Sequence, residues 1–322
     1  MDGLQLSSLI ALGRLLHERR YRFTTITPAS HRIVLARHAM KSACSLRQAL
    51  GWSMPFARGQ LDDEVERLLE AANATVELGG GLCQSTLRAS TLSTAEGERL
   101  FFHSAFPTDD VDAVFFGPDT YRFANLLSRW LPGALGRVVD VGAGSGAGGI
   151  VVAARAQEVV LADVNQRALV LSLVNALVNA SVNASVNAAL AGAGNVFVRE
   201  SDVLGGLPGE FDVVISNPPY LVDAGARQYR HGGDRGIELA VRIVEESLLR
   251  LRPGGRLLVY TGTPVCDGVP LFLERTRAAL QRAGAVVRVE ELDPDVFGEE
   301  LASPAYADVE RIALVGLLAT VP

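Results

Sequence analysis

The stretch R-V-V-D-V-G-A-G-S-G, Arg137 to Gly146, joins an apolar strand pattern to a run of glycines. A short apolar run that ends in closely spaced glycines is typical of a strand and a tight turn, and a helical segment follows. Glycines let a ligand lie against the backbone near the helix N-terminus, where unpaired N–H groups point outward. The stretch therefore predicts a ligand-binding turn at the carboxyl end of a strand.

Six further strand patterns follow this one. The seven lie at residues 137–141, 158–163, 195–199, 211–216, 256–261, 286–292 and 311–317. Helical segments fit between most of them, and we expect one between each pair of the first five. This alternation predicts an α/β fold: a seven-stranded, doubly wound, Rossmann-like sheet with ligand sites at the carboxyl ends of its strands.

The first third of the chain has a different pattern. Leucines at helical spacing predict a helix over residues 4–20, and D-D-E-V-E-R-L-L-E-A-A predicts an amphipathic helix over 62–72. Short strands with a glycine turn follow, up to Phe106. We therefore expect two domains: residues 1–110 form a substrate-recognition module of helices and a small β-hairpin, similar to a winged helix, and residues 111–322 form the α/β domain.

A tetrad repeat interrupts the α/β region. It reads V-N-A-L, V-N-A-S, V-N-A-S, V-N-A-A over residues 174–189. A period of four differs from the 3.6 residues of a helical turn, so a row of valines drifts by about 40° per unit around the helix. We expect a helix lengthened past the sheet edge, and a neutral sequence expansion is favoured over an interaction element.

The composition limits the kinds of partner and the cellular environment that we expect for this protein. A chain of 322 residues with 48% hydrophobic residues can form a large core, and its net charge of -6 argues against broad nucleic-acid binding. The cysteines, Cys44, Cys83 and Cys266, are widely spaced without C-x-x-C, which predicts reduced thiols in a cytoplasm and no metal site. We expect no signal peptide and no membrane span, because the apolar stretch at 9–16 is short and interrupted.

Asp140 lies at the strand end, one turn before the glycines, where a dinucleotide-binding fold would normally have an apolar residue. S-adenosylmethionine (SAM) carries a cationic amino group and a cationic sulfonium, so a carboxylate here favours SAM. Gly142, Gly144 and Ala147 also satisfy the dinucleotide pattern G-x-G-x-x-A. The glycine run alone therefore leaves both SAM and NAD open.

Carboxylates also follow the next two strands. Asp163 could accept hydrogen bonds from the ribose hydroxyls of either cofactor. Asp202, in R-E-S-D-V-L, lies where a carboxylate could accept from an adenine amino group while the N–H of Val203 donates. Each Asp alone could be a helix cap or a loop residue, but three at successive strand ends favour a nucleoside-cofactor site.

The motif S-N-P-P-Y, Ser216 to Tyr220, ends the fourth sheet strand. Together with D-V-G-A-G-S-G, Asp163 and Asp202 it resembles the class I SAM-dependent methyltransferases that modify planar amino or amide nitrogens. The following H-G-G-D-R-G-I-E-L-A-V-R, His231 to Arg242, resembles more specifically the HemK-type glutamine N5-methyltransferases of peptide-chain release factors. Ribosomal RNA guanine N2-methyltransferases share much of this pattern.

The resemblance covers about residues 115–320 and implies SAM as the cofactor, with no metal and no covalent intermediate. The residues that it implies for cofactor binding are Asp140, Gly142, Ala143, Gly144, Gly146, Asp163, Val164, Asp202, Val203 and Asn217. The catalytic residues that it implies are Asn217, Pro218, Pro219 and Tyr220. The Arg-rich entry and the five-helix N-terminal module that are usual in HemK-type enzymes are not evident here.

The N-P-P-Y motif has a physical rationale in this chemistry. A nitrogen conjugated to a carbonyl or an aromatic ring has a delocalised lone pair and is a poor nucleophile. If its N–H groups donate to the Asn217 side-chain oxygen and the Pro218 carbonyl, the lone pair can point at the methyl group, and proline preorganises that carbonyl. Tyr220 can stack on a planar group. The alternative interpretation of the motif is purely structural: an Asn-Pro turn followed by a tyrosine that packs against the protein.

Several alternatives stay open. Among acceptors, a protein glutamine amide ranks first, before a small-molecule nitrogen and a nucleic-acid base. From other classes, an NAD-dependent oxidoreductase would use the same glycines but gives N-P-P-Y no function, and a non-enzymatic SAM-binding module would keep the fold without activity. Residues 118–120, P-D-T, are expected to border SAM or substrate, although Asp119 as a helix N-cap is an equal alternative.

Overall fold

The computed structural model describes residues 2–37, 45–182, 194–223 and 225–322 of the chain. Its N-terminal region contains helices α1 (Gly3–Glu18), α2 (Pro28–Ala36) and α3 (Asp63–Ala71). The strands of this region are β1 (Phe56–Ala57), β2 (Thr75–Gly79), β3 (Leu82–Ser85), β4 (Leu87–Thr94) and β5 (Gly97–Ser104). The helices expected at 4–20 and 62–72 are confirmed as α1 and α3.

Local capping explains where these two helices begin. The Asp2 side chain accepts a hydrogen bond from the Gln5 N–H, and the Gln5 side chain accepts one from Asp2 N–H, a reciprocal capping box. Asp62 caps α3 by accepting from Glu64 and Val65. Strands β1, β3 and β2 form a small antiparallel sheet, and β4 and β5 form a separate hairpin.

The rest of the chain forms a large mixed sheet with helices on both faces. Its helices are α4 (Pro118–Trp130), α5 (Ala147–Val152), α6 (Gln166–Val182), α7 (Glu238–Leu248) and α8 (Leu271–Arg282). Its strands are β6 (Leu135–Val141), β7 (Ala156–Asp163), β8 (Val196–Glu200), β9 (Phe211–Ser216), β10 (Leu251–Cys266), β11 (Val269–Pro270), β12 (Val286–Asp293) and β13 (Arg311–Thr320). Every strand that the sequence predicted for this sheet is present.

The strand order is β12-β13-β10-β9-β6-β7-β8, with the short β11 pairing to β10. Neighbours from β8 to β10 are parallel, whereas β13 is antiparallel to both β10 and β12. The chain runs outward from β6 to β8 and then returns to β9 on the other side of β6. This reversal makes a crevice at the carboxyl ends of β6 and β9, where ligands bind in folds of this kind. The predicted seven-stranded α/β architecture is confirmed.

One predicted helix is wrong. Residues 201–210, between β8 and β9, form turns instead of a helix. The segment contains three glycines and a proline, which favour turns over helix. The Ser201 hydroxyl organises it locally, because it donates to the Val203 carbonyl and accepts from the Gly206 N–H.

Helix α6 connects the sheet to the N-terminal region. Its buried residues Ala168, Leu171, Val174 and Val178 belong to the same apolar cluster as residues of α1 and α3. Gly13 of α1 lets the two helices approach closely, since a Cβ there would lie 2.6 Å from a Val178 methyl. The two predicted domains therefore share a core across α6, and the boundary near residue 110 stays a prediction.

The tetrad repeat is described only in part. Its first residues, 174–182, are helical and belong to α6, as expected. The rest, together with Cys44, lies outside the described residues; Cys83 and Cys266 are free thiols. In the described part of the chain, no helix is both long and apolar enough to cross a membrane.

The close contact at Gly13 predicts a specific effect on stability. Gly13→Ala should lower the free energy of unfolding by roughly 1 to 2 kcal/mol, because overpacking against the stiff, buried Val178 exceeds the gain in helix propensity. Gly3→Ala in the same helix meets no atom within 4 Å and should leave stability unchanged or slightly higher. Urea denaturation measures both. Equal stability of the two variants would contradict this packing.

Candidate functional site

A cavity of about 780 Å³ opens at the carboxyl ends of β6, β7, β8 and β9. The predicted site residues that line it are Asp140, Gly142, Ala143, Gly144, Asp163, Val164, Asp202, Val203, Asn217, Pro218, Pro219 and Tyr220. Gly146 does not line the cavity. It is buried below the turn at a φ of 78°, where a Cβ would meet Leu161, Ile150 and Ser172 at about 3 Å.

The glycine turn between β6 and α5, residues 142–146, is held by backbone hydrogen bonds. Gly142, Gly144 and Gly146 all have positive φ, which an L side chain rarely adopts. The N–H groups of Gly142 and Ala143 donate to the Ala162 carbonyl of β7. Because these bonds go to the neighbouring strand, the turn lies over the edge of the sheet and faces the cavity.

Asp140 is a buried acid at the inner end of the cavity. It is 2% exposed, and its Oδ2 accepts from the Gly149 N–H at 2.7 Å. Burial raises the pKa of Asp140 to about 7, although the bond from Gly149 opposes the shift. Near neutral pH this carboxyl group therefore exists in both protonation states, and a nearby cation would favour the ionised one.

Asp163 and Asp202 occupy different environments. Asp163 accepts from the N–H groups of Gly144 and Asn165 at 2.8 and 2.9 Å, and burial raises its pKa. Each carboxylate oxygen has a second lone pair, so Asp163 can still accept from hydroxyl groups in the cavity. Asp202 is exposed and forms a two-pronged ion pair with Arg242 at 2.9 Å. Any ligand that bonds to Asp202 would share it with Arg242.

The residues Asn217 to Tyr220 form the lip of the cavity. The Ser216 hydroxyl donates to the Val141 carbonyl at 2.7 Å, which joins the end of β9 to the end of β6. Among the described residues, neither the Asn217 side chain nor the Pro218 carbonyl has a hydrogen-bond partner. Two acceptors at the lip, the Asn217 side-chain oxygen and the Pro218 carbonyl, are therefore available to a ligand.

A carboxylate behind the lip fixes the tyrosine. Asp119 accepts from the Tyr220 hydroxyl at 2.7 Å and from the Tyr260 hydroxyl at 2.9 Å. Burial, with the Asp119 charge beside it, raises the pKa of Tyr220 well above its ordinary value, so the phenol remains a donor. Asp119 lines the cavity, as do Pro118 and Thr120, whereas the N-cap of α4 is Gly117, so the N-cap alternative for Asp119 is wrong.

The H-G-G-D-R-G segment supports the lip from outside. A Cβ on Gly232 would lie 2.5 Å from the Pro219 carbonyl oxygen, and one on Gly236 would lie 2.3 Å from the Tyr220 carbonyl oxygen. The Gly232 N–H also donates to the Leu221 carbonyl. Only glycine permits this approach of backbone to backbone, which explains the spacing of these glycines.

Sequence reasoning missed three contributions to the site. Tyr260, whose hydroxyl bonds to Asp119, lies in the interior of β10, where the sequence shows only a strand pattern. The N-terminal region also forms part of the cavity wall, through Thr27 at the N-cap of α2 and Arg32 within that helix. Phe115 and Tyr229 stack at 5.3 Å in the same outer part of the cavity. No local pattern marks these residues, because they meet only after folding.

The comparisons with known proteins agree with this geometry. Residues 113–265 match the family model described as "Methyltransferase small domain". This segment contains the glycine turn, the three carboxylates at strand ends and the lip. Fold, site and family model together define a Rossmann-like methyltransferase domain.

Two curated relatives specify the family. The release factor glutamine methyltransferase of Deinococcus radiodurans is 37% identical over 51% of this chain and 55% of its own length. That of Cereibacter sphaeroides is 30% identical over 63% of this chain and 70% of its own length. The chain belongs to the family of class I SAM-dependent methyltransferases that contains these release factor glutamine methyltransferases.

The similarity to relatives is partial. The chain matches little more than half the length of the Deinococcus relative. Among solved structures, a T. thermophilus 16S rRNA methyltransferase in complex with AdoMet and guanosine is 20% identical, with a TM-score of 0.46 over 83% of this chain and 64% of that one.

The contact between Gly236 and the lip predicts a difference between two glycines with the same backbone angle. Gly236 and Gly254 both have a φ of 75°, but a Cβ on Gly254 meets no atom within 4 Å. Gly254→Ala should cost about 1 to 2 kcal/mol of backbone strain. Gly236→Ala should cost a further 1 to 3 kcal/mol, roughly, because it also collides with the Tyr220 carbonyl. Guanidinium denaturation compares them, and equal losses would show that Gly236 does not support the lip.

Proposed function

We propose that this chain is a SAM-dependent N-methyltransferase that acts on a planar amide or amino nitrogen, with a protein glutamine side chain as its acceptor. The observation that carries the proposal is the lip, where the Asn217 side chain and the Pro218 carbonyl face a cavity without partners among the described residues. Family membership supports the same chemistry. The named activity of the relatives supports glutamine over other acceptors.

The residues of the cavity fit SAM. A buried carboxyl group, Asp140, lies beside the glycine turn, where it would favour a cationic ligand group. Asp163 would accept from ribose hydroxyls, and Val164, which is exposed at the cavity, would flank the adenine. When bound, SAM supplies a methyl group on a positively charged sulfur. The assignment of Asp202 and Val203 to the adenine is part of this proposal.

The lip would orient the acceptor nitrogen. The two N–H groups of an amide would donate to the Asn217 side-chain oxygen and the Pro218 carbonyl, which turns the nitrogen lone pair toward the cavity. Proline fixes φ, so the Pro218 carbonyl needs no reordering on binding. Rate enhancement would come from alignment and proximity. As the bond from nitrogen to the methyl carbon forms, the bond from that carbon to sulfur would break and leave a neutral thioether, and the methylated nitrogen would release its proton to water.

The bonds of Tyr220 support this orientation. Asp119 holds the Tyr220 hydroxyl, so the ring has little freedom to rotate and presents a fixed surface beside the acceptor position. Phe297 lies 6.0 Å from the same ring, centroid to centroid. The outer wall, with Phe115 and Tyr229 stacked, would contact the acceptor beyond the reacting group.

The other acceptors rank lower. A small-molecule nitrogen would fit the same lip, and a nucleic-acid base is disfavoured by the net charge of -6. An NAD-dependent oxidoreductase would leave the lip without a function. We place the enzyme in the cytoplasm, on the basis of its widely spaced cysteines and absence of a C-x-x-C pair in the sequence.

The lip is tested by Asn217→Ala. We expect methyl transfer from methyl-labelled SAM to the protein fraction of a cell extract to fall by about 100-fold or more, because one preorganised group is lost. Asn125→Ala, on the exposed face of α4, is the control and should leave transfer unchanged. Label that enters only RNA or small molecules would refute the glutamine assignment, and undiminished transfer by Asn217→Ala would refute the function of the lip.

The pKa of Asp140 predicts a pH dependence of SAM binding. A cationic ligand binds the ionised carboxylate, so below a pKa of about 7 the affinity should rise with pH, by up to about tenfold per unit. Calorimetry between pH 5.5 and 7 should show this rise together with proton release. In Asp140→Asn the slope should disappear. A wild-type affinity that does not change over this interval would rule out Asp140 as a partner of the ligand charge.

A further inference from the structure

The Asn175 side chain of α6 joins two distant parts of the backbone. It is fully buried, and its Oδ1 accepts from the Phe102 N–H of β5 at 2.7 Å. Its Nδ2 donates to the Phe102 carbonyl and to the Ser145 carbonyl, both at 2.9 Å. One amide group therefore pairs with a strand of the N-terminal region and with the glycine turn of the cavity at the same time.

The spacing of the repeat explains how a helix pairs with a strand edge in this way. Four helical residues advance by about 6.0 Å, close to the roughly 6.8 Å between alternate residues of a strand. Asn179, one tetrad after Asn175, accepts from the Leu100 N–H at 3.0 Å and donates to the Leu100 carbonyl at 2.8 Å. The first two asparagines of the repeat thus continue the hydrogen bonding of β5, a structural role that a neutral expansion does not predict.

The two asparagines differ in their third bond. The second Nδ2 donor of Asn179 goes to the Asn175 carbonyl at 2.8 Å, within α6. The corresponding donor of Asn175 goes to Ser145 in the glycine turn. Asn179 is therefore a matched control: it makes the equivalent pair of bonds to β5, and its third described bond goes to α6 instead of to the glycine turn.

The bond to Ser145 fixes one peptide plane in the turn. The peptide between Ser145 and Gly146 has its carbonyl bonded to Asn175 and its N–H bonded to the Ala143 carbonyl at 2.7 Å. Ser145 is buried, and among the described residues its carbonyl has no hydrogen-bond partner besides Asn175, so loss of that bond would cost free energy in the folded state. Glycines flank Ser145 and restrict the backbone least, so the bond from Asn175 and the bond from the Gly146 N–H together hold this peptide against rotation.

We propose that Asn175 is a positioning residue for the cofactor turn, through which β5 of the N-terminal region sets the conformation of residues 142–146. The inference rests on the proposed binding of SAM at this turn. Asn175 does not line the cavity, and it acts through the orientation of the Ser145–Gly146 peptide. A turn that samples other conformations places its backbone less often in the binding arrangement, and the apparent affinity falls by that fraction.

The test compares Asn175→Ala with Asn179→Ala. Both remove two bonds to β5 and a buried amide, but Asn175→Ala also removes the partner of the Ser145 carbonyl, so its thermal midpoint should fall further than that of Asn179→Ala. By calorimetry at a temperature where both are folded, Asn175→Ala should bind SAM about tenfold more weakly than wild type, and Asn179→Ala within about twofold. In steady-state assays the KM for SAM should rise in Asn175→Ala while kcat at saturating SAM changes little.

A measurement without SAM makes the inference independent of the proposed function. Amide hydrogen exchange at residues 142–146 should speed up by about tenfold in Asn175→Ala and remain near wild type in Asn179→Ala. If the wild-type protein binds no SAM, the proposed function fails. The exchange result still shows whether Asn175 holds the conformation of residues 142–146. Equal exchange in both variants, or equal SAM affinity when wild type binds, overturns the inference. If an alanine variant does not fold, the same two measurements are made on Asn175→Leu and Asn179→Leu, which fill the space of the amide. The same results support or overturn the inference.

Discussion

The site depends on the side-by-side pairing of β6 and β9. These strands are parallel neighbours, Val141 lies opposite Ser216, and the Ser216 hydroxyl bonds to the Val141 carbonyl. Because the strand order reverses at this pair, the glycine turn after β6 and the lip after β9 leave the sheet at the same point and diverge around one cavity. A shift of register between these two strands would separate the glycine turn from the lip, which lie about 70 residues apart in the sequence.

Burial of acids gives the cavity its chemistry. Asp140 and Asp163 lie where desolvation raises their pKa values, and backbone N–H groups offset only part of that cost. A cation bound near these carboxyl groups would favour their ionised form. Asp119, behind the lip, instead accepts from the hydroxyls of Tyr220 and Tyr260, and it holds an aromatic ring rather than a ligand charge.

The N-terminal region is integrated into the site as well as packed beside it. It shares an apolar core with α6, lines the outer cavity near Thr27 and Arg32, and reaches the glycine turn through Asn175. In this arrangement α6 is both a crossover helix of the sheet and the surface on which β5 docks. Hydrogen bonds of Asn175 therefore connect β5 of the N-terminal region directly to the glycine turn.

Local patterns in the sequence determined the seven strands, the glycine turn, the carboxylates at strand ends and the N-P-P-Y lip, because each depends on residues a few positions apart. Tertiary structure alone decided that Tyr260 and Asp119 hold Tyr220, that Asp202 pairs with Arg242, and that the asparagines of the repeat bond to β5. These contacts join residues 40 to 141 positions apart in the sequence. Hydrogen bonds between such distant residues produce no periodic sequence pattern from which they could be predicted. The turns at 201–210 are a different case, because their glycines, their proline and the local bonds of Ser201 were signals present in the sequence.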